Sequence, residues 1–600
     1  MTFRQSALLL LTAASIALLT SCSSSLGIGL GFSPAPPASM AAGSQVPLSV
    51  ITNDRAGVTW SSSCSNPGQC GSFIGLALTS TTFQAPVAIP STLTVTATSV
   101  TDTSKSKTAT ITITQATTLN DGNYVYQLSG EDVNGPFNVS GAFTVTAGAI
   151  TGGEQDFVDA SIGPELDGIV SGTIAAGAAD SNLQIVLTTS SETIGVGGNG
   201  IETINLTQTD PVDGLVTWFD GFAAGSGTLI TQNTAAAEVL PVSGYALLTS
   251  GWDSGGCPIA IGAVINADGP GTISGDGSIL DANDCGSGSG GQGQTVTGTV
   301  AGTGDTALPD AFGRVVFTLN PNVTFKTALA GYIVNSSQID LVETADTLDA
   351  VTGGIAYAQA SADVGAFSGA NLSGFSYAVS AQGEDSLYLN TLAGSLTFTG
   401  TGATTGTVSG TADYNDITNQ YTATITAGTY SVDPTGDVTV TGLVLTDADA
   451  NNHGPFNLQF YLDGNGNAVS ASMDITDVTS GPAYQQTSGA GVAGAYASGA
   501  GGFEPVAGVE WSAVGPITVS STGAVAGFTD FNYFSDPQVL TANVPLSGTI
   551  TAGSGTITGL GAVSPTTADT FDFYVIDSNR VFGIETDDTQ LGLTYSQFQN

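Results

Sequence analysis

The chain reads GLTYSQFQN from Gly592 to Asn600, and six of these residues follow a pattern the sequence has already used three times. Gly592-Leu-Thr-Tyr595-Ser-Gln597 matches Gly481-Pro-Ala-Tyr484-Gln-Gln486, Gly354-Ile-Ala-Tyr357-Ala-Gln359 and, with Ile230 for Tyr, Gly227-Thr-Leu-Ile230-Thr-Gln232. The glycines stand 127, 127 and 111 residues apart. A second pattern, G-x-[IV]-x-G, occurs at Gly148–Gly152, Gly271–Gly275, Gly406–Gly410 and Gly523–Gly527. The two patterns interleave in strict order, so together they define four units of about 110 to 130 residues. The expected boundaries are 118–236, 237–362, 363–488 and 489–600.

Each unit opens on a short Gly-aromatic strand: Gly122-Asn-Tyr124, Gly244-Tyr245, Gly374-Phe375 and Gly494-Ala-Tyr496. Seven or eight runs of alternating apolar and polar residues follow, joined by turns such as Asp463-Gly-Asn-Gly-Asn467. A single sheet of that length would leave two edges and an apolar face uncovered, so each unit should close into an up-and-down barrel or fold as a sandwich. The Gly-x-Tyr opening is similar to the first strand of lipocalin-like barrels, without the downstream arginine signature of that family. The fold expected is all-β: an initial sandwich, then four tandem antiparallel units standing as beads on a string. Tyr and Gln of the repeated motif share strand parity. In a closing strand the tyrosine is expected to fill the barrel core while the glutamine bonds main-chain groups near the closure. The alternative is a ligand site copied from unit to unit.

At the other end, a single Arg4 precedes the apolar run Ala7–Leu19, which is short for a bilayer span and reads as a secretory signal. Leu19-Thr20-Ser21-Cys22 resembles the lipobox of bacterial lipoproteins. That resemblance implies that Cys22 is lipidated as residues 1–22 are processed, and that the protein sits in the envelope, at the outer membrane or cell surface. Residues 23–35, rich in Ser, Gly and Pro, are expected to form a flexible tether. With Cys22 set aside, Cys64 with Cys70 and Cys257 with Cys285 read as two local disulfides suited to an oxidising compartment.

Residues 36–116 alternate as strands do, with the hairpin Leu93–Val100 and Thr108–Thr114 at the end. Val58-Thr-Trp60, the short Cys64/Cys70 loop, Phe83-Gln-Ala-Pro86 and the closing hairpin resemble the Ig-like domains strung along bacterial surface proteins. Such domains serve as spacers or adhesive modules. The Cys64–Cys70 pair departs from the inter-sheet disulfide of antibody domains. Trp60 reads as a core residue, with a sugar-stacking surface aromatic as the alternative.

The composition narrows the function classes. Fifty acidic residues face seven Lys plus Arg, for a formal net charge of −43, so nucleic acid and anionic lipid surfaces are poor partners, since binding them requires a basic patch. The single histidine, His453, lies in the turn NNHG, without the context of a catalytic triad. Acids stand seven residues before the motif glycine at Asp220, Asp474 and Glu585, with Thr347 in the second unit. They read as strand residues; paired carboxylates of a carbohydrate-active enzyme are the alternative. Asp447-Ala-Asp449-Ala-Asn451 begins like an EF-hand loop, but Asn452 and Leu458 stand where Gly and Glu belong. A polar hairpin turn is expected, with a structural Ca2+ on Asp447, Asp449 and Asn451 as the alternative; no other cofactor is expected. The function these features imply is a non-enzymatic envelope lipoprotein acting as an adhesion, spacer or structural surface component. Its partners are the membrane, through Cys22, and a glycan or surface protein. The rival readings are a small-molecule or glycan-binding protein and a carbohydrate-active enzyme.

Overall fold

The computed structural model describes residues 27–599 apart from 66–68, 91, 180–181, 192–198, 269–270, 282–288, 305–306, 322–326, 347–349, 386–388, 473–476, 488–490, 505–507, 535–538, 552, 560–567 and 588–589. Cys22, Cys285, Thr347 and Asp474 therefore lie outside the described residues. The chain divides into two compact units, one built mainly on Gln45–Ala85 and Pro90–Ile113, the other mainly on Thr114–Asn600.

The first unit holds two four-stranded antiparallel sheets. One runs Leu30–Phe32, Gln45–Thr52, Ser80–Gln84 and Ser72–Ile74; the other runs Ser39–Ala41, Ser106–Thr114, Leu93–Ser99 and Val58–Cys64. Trp60 of the second sheet lies between Phe32 and Phe73 of the first, at ring separations of 6.2 and 6.1 Å, so the tryptophan belongs to the layer between the sheets. Cys64 and Cys70 are bonded, with Cα atoms 5.3 Å apart. Leu30–Phe32 falls in the stretch expected to be tether. It pairs instead with Val50–Thr52, because Phe32 buries its ring against Trp60.

The second unit contains four closed antiparallel barrels of eight strands each, all with consecutive neighbours paired and the first strand bonded to the last. Their first strands are Gly122–Asp132, Gly244–Trp252, Ser376–Asp385 and Gly494–Glu504; their last are Ala223–Thr231, Val351–Ala358, Asp477–Gln485 and Leu591–Phe598. The G-x-[IV]-x-G pattern marks the start of the third strand in every barrel, from Ala149, Thr272, Thr405 and Ala524. Closure removes both edges of each sheet, and alternation fills the interior. In the third barrel Phe398 sits among Tyr377, Tyr430 and Phe460 at 5.9, 5.3 and 5.8 Å. In the first, Tyr124 stacks on Phe143 and Phe137 meets Trp218 edge-on at 5.6 Å. A void of about 40 Å³ lined by Val379, Leu396, Leu443 and Phe456 remains in the third barrel, little more than the share of one water.

The barrels do not stand apart as beads. They touch in cyclic order, first to second, second to third, third to fourth and fourth to first. Apolar seams join each pair: Val125 and Val158 with Tyr332 and Val342; Ala246 and Leu248 with Tyr461 and Val469; Ala378 with Ile576 and Phe582; Leu215 with Ala497 and Val514. The reason is on their outer faces, where small residues let walls approach. A Cβ on Gly262 would lie 2.1 Å from the Tyr461 ring, and one on Gly353 would lie 2.4 Å from Asn138 Oδ1.

Candidate functional site where the four barrels meet

The repeated motif lies in these closing strands. Its glycine answers to a close approach of backbone: a Cβ at Gly227, Gly354 or Gly481 would lie 1.8, 1.9 or 2.0 Å from the carbonyl oxygen of Gln127, Leu248 or Ser380 in the first strand. Two residues after the motif's Ile or Tyr, the glutamine leaves the barrel. Its main-chain N–H still bonds the first strand, Gln232 to Asn123, Gln359 to Gly244 and Gln486 to Ser376, at 2.7–2.8 Å. Its side chain crosses to the next barrel. Gln232 Nε2 donates to the carbonyls of Phe312 and Ile333, Gln359 Nε2 to those of Thr435 and Leu462, and Gln486 Nε2 to that of Val575.

In the fourth barrel this register belongs to Gln599, two positions beyond Gln597. Gln599 N bonds Ala495 O, and its Nε2 donates to Gln208 O of the first barrel at 2.8 Å. A Cβ at Gly592 would meet the side chains of Glu585 and Trp511 rather than a neighbouring carbonyl. The fourth copy read from the sequence is thus displaced by two residues, which preserves parity and hence the face presented.

That face is the outer one. Ala356 and Ala358 point into the second barrel's core, while Tyr357 packs with Ala246, Val264, Tyr461 and Val469 in the seam to the third. The expectation that the tyrosines fill barrel cores is therefore corrected: in the second barrel small alanines face inward, where Phe317, Leu329, Ile339 and other apolar side chains already fill the space. Tyr357 and Tyr484 bring their hydroxyls to 3.1 Å across the seam, and Tyr484 lies 6.5 Å from the Tyr595 ring. Burial raises the pKa of all three phenols, so they stay protonated at neutral pH. Ile230 occupies the corresponding place in the first barrel.

These strands surround a cavity of about 680 Å³ to which all four barrels contribute, among them Gln127, Tyr357, Gln382, Tyr484, Arg580 and Tyr595. Arg580 lies 4.6 Å over the Tyr484 ring and is held by Asp577, to which its Nε donates at 2.9 Å. Asp340 also lines the space; burial pushes its carboxyl up to about 6, so it still carries most of its charge at neutral pH. The surface thus offers phenol rings, amides and one guanidinium.

The glutamine bonds give a direct prediction. Gln359→Ala would leave two carbonyls of the third barrel without their donor, costing about 1–3 kcal/mol. Gln359→Glu should cost more, because a carboxylate would face the same two oxygens. Urea melts of the three proteins check the order; equal midpoints would contradict it.

Elsewhere the sequence candidates separate. Asp220 accepts from Trp218 Nε1 at 2.6 Å in the first barrel, whereas Glu585 lies inside the fourth, so these two acids do not share a cleft. Asp447 Oδ1 accepts from the N–H of Asp449 and of Asn451, and its Oδ2 from Asn451 Nδ2 at 3.0 Å. Those bonds and the one with His453 hold its carboxyl down at about 2, and they spend its oxygens on the turn itself. The His453 ring stacks on Tyr421 at 3.8 Å. Cys257 is buried. Among the described residues, no helix is long and apolar enough to cross a membrane.

What sequence reading missed are the seam contacts. Asp156 and Arg314 pair between the first and second barrels, and Asn532 Nδ2 bonds the carbonyls of Trp218 and Ala223 between the fourth and first. Their partners lie 158 or more positions away, where no local pattern marks them.

No protein-family model matches the chain, and no curated protein matches it. Among solved structures, it is similar to a double mutant of the vaccine antigen Transferrin Binding Protein B from Haemophilus parasuis Hp5. The identity is 9%, the TM-score 0.15, and the match covers 80% of this chain and 96% of that one. Intact Ap-TbpB, with N and C lobes, matches at 10% identity and a TM-score of 0.17, covering 80% and 95%. Scores of this size carry no argument about function.

Proposed function

We propose that the chain is an exported, lipid-anchored and non-enzymatic envelope protein whose work is binding, done at the cavity shared by the four barrels. The observation that carries this reading is the position of the cavity: about 680 Å³ stands open where the four walls meet, against about 40 Å³ inside the third barrel. That volume is in the range of small-ligand sites. The ligand class that fits is a neutral glycan, because phenol rings offer faces to stack on sugar rings and the amides of Gln127 and Gln382 offer donors and acceptors. A chain of net charge −43 disfavours polyanions. Cys22 supplies the anchor, and the two N-terminal sheets, read as Ig-like, come between it and the barrels along the chain.

A glycan array probed with the chain lacking residues 1–22 tests the binding reading. Neutral glycans should be retained, and Arg580→Gln should weaken them at least tenfold. An array with no retained glycan, or binding indifferent to that substitution, would leave the spacer and adhesion reading in its place. It is favoured by the four seams, which make one firm body of separate barrels.

A further inference from the structure

Three acids converge at one end of the fourth barrel: Asp569 on strand Ala568–Val575, Glu585 at the end of Arg580–Glu585, and Asp587 just beyond it. One oxygen from each lies within 4.8 Å of the others. Glu585 is wholly buried and neither of its Oε atoms has a hydrogen-bond partner; Asp569, 2% exposed, has an unpartnered Oδ2. An unpaired carboxylate inside a barrel is costly unless something compensates it. None of the ion pairs found among the described residues includes any of these acids.

We infer that this cluster is a site for one hard divalent cation, Ca2+ in particular, held by Asp569, Glu585 and Asp587. Oxygens within 4.8 Å of one another can all reach one Ca2+ ion at its ligand distances of about 2.3–2.6 Å, and a wholly buried Glu585 favours Ca2+ over Mg2+, which gives up its water reluctantly. All-oxygen donors favour such an ion over zinc or copper. Asp587 is only half-buried and gives the ion a way in. Its Oδ2 also accepts from Thr570 N at 3.0 Å, tying the rim to the strand that carries Asp569. From the third barrel, Asn415 Nδ2 reaches the carbonyls of Glu585, Asp587 and Gln590 at 3.0, 3.1 and 3.2 Å, so the segment bearing two of the ligands is anchored from outside.

The site has a built-in reporter. The space beside Gly592 is flanked by Glu585 Oε2 and the Trp511 ring, 2.8 and 2.9 Å from the Cβ position. The full chain, stripped with EDTA and titrated with Tb3+, should show tryptophan-sensitised emission that Ca2+ displaces, and equilibrium dialysis should find this site filled by Ca2+. Glu585→Gln should weaken Ca2+ binding there at least tenfold. Asp587→Asn, at the rim and outside the core, should do the same even if the buried substitution disturbs folding. Trp511→Phe should lose the emission and keep the dialysed Ca2+. A stripped chain that binds no Ca2+, wild-type affinity in both acid variants, or Mg2+ binding as tight as Ca2+ would each overturn the assignment.

Discussion

Arg314→Ala is expected to destabilise the protein by about 3–5 kcal/mol, the loss that follows when one partner of a buried ion pair is removed. Arg314 begins a strand of the second barrel, and its Nε and Nη2 donate to Asp156 of the first at 2.5 and 2.6 Å. The side chains are only 7% and 3% exposed, so water does not replace the lost partner. Tyr332 also donates to Asp156, at 2.7 Å, so without Arg314 the buried carboxylate keeps that phenol and loses its counter-charge. The triple change Arg314→Met, Asp156→Leu and Tyr332→Phe should recover most of the stability, since it leaves no unpaired charge in the seam. Denaturant melts compare the variants. A cost under about 1 kcal/mol for Arg314→Ala would mean the pair behaves as an exposed one.

The second large effect is on pH. Glu202, 1% exposed inside the first barrel, is pushed up to about 8 by burial, and Asp437 in the third is pushed up to about 7 by burial and by Asp433. A carboxyl whose folded value lies above its unfolded value holds its proton more tightly in the native state. Its contribution is therefore complete below the unfolded value near 4.5 and is lost as pH rises through about 8. For Glu202 the shift corresponds to something on the order of 4–5 kcal/mol by alkaline pH. Glu202 Oε1 accepts from Gln155 Nε2 at 2.8 Å, and its Oε2 has no partner, so ionisation gains no second donor. Melting temperatures in EDTA should fall steadily between about pH 6 and 9, and Glu202→Gln should flatten the alkaline limb and melt above the wild type at pH 9. Parallel profiles for the two proteins would remove Glu202 as the cause.

Much of the architecture was legible because it follows from backbone. Three of the four motif glycines, Gly227, Gly354 and Gly481, stand where a side chain would strike a neighbouring carbonyl, and those of the second pattern recur at the start of each third strand. Alternation and turn composition then required closed sheets. What stayed hidden depended on which face of a strand looks inward. Parity placed Tyr357 and Gln359 together but could not say on which side, and a tyrosine flanked by alanines reads naturally as core. The structure puts Ala356 and Ala358 inside because apolar side chains on other strands, Phe317, Leu329 and Ile339 among them, already fill the barrel. The site acids tell the same story. Glu585 stood out by its place before Gly592, yet its neighbour Asp569 comes from the adjacent strand, through a pairing of Phe571 with Glu585 that no local spacing announces.

Gln599 reaches a carbonyl 391 positions earlier in the chain, and this has a consequence for how the molecule comes together. The other three glutamines meet barrels that follow directly in sequence, so their contacts can form as each new barrel is completed. The last cannot form until the barrels between have docked. Three docked neighbours then hold the fourth beside the first at a high effective concentration, and modest contacts suffice to secure it. The same arithmetic predicts an order of failure: a weakened seam is kept closed by the other three, so single lesions should speed separation less than pairs of lesions on opposite sides of one barrel.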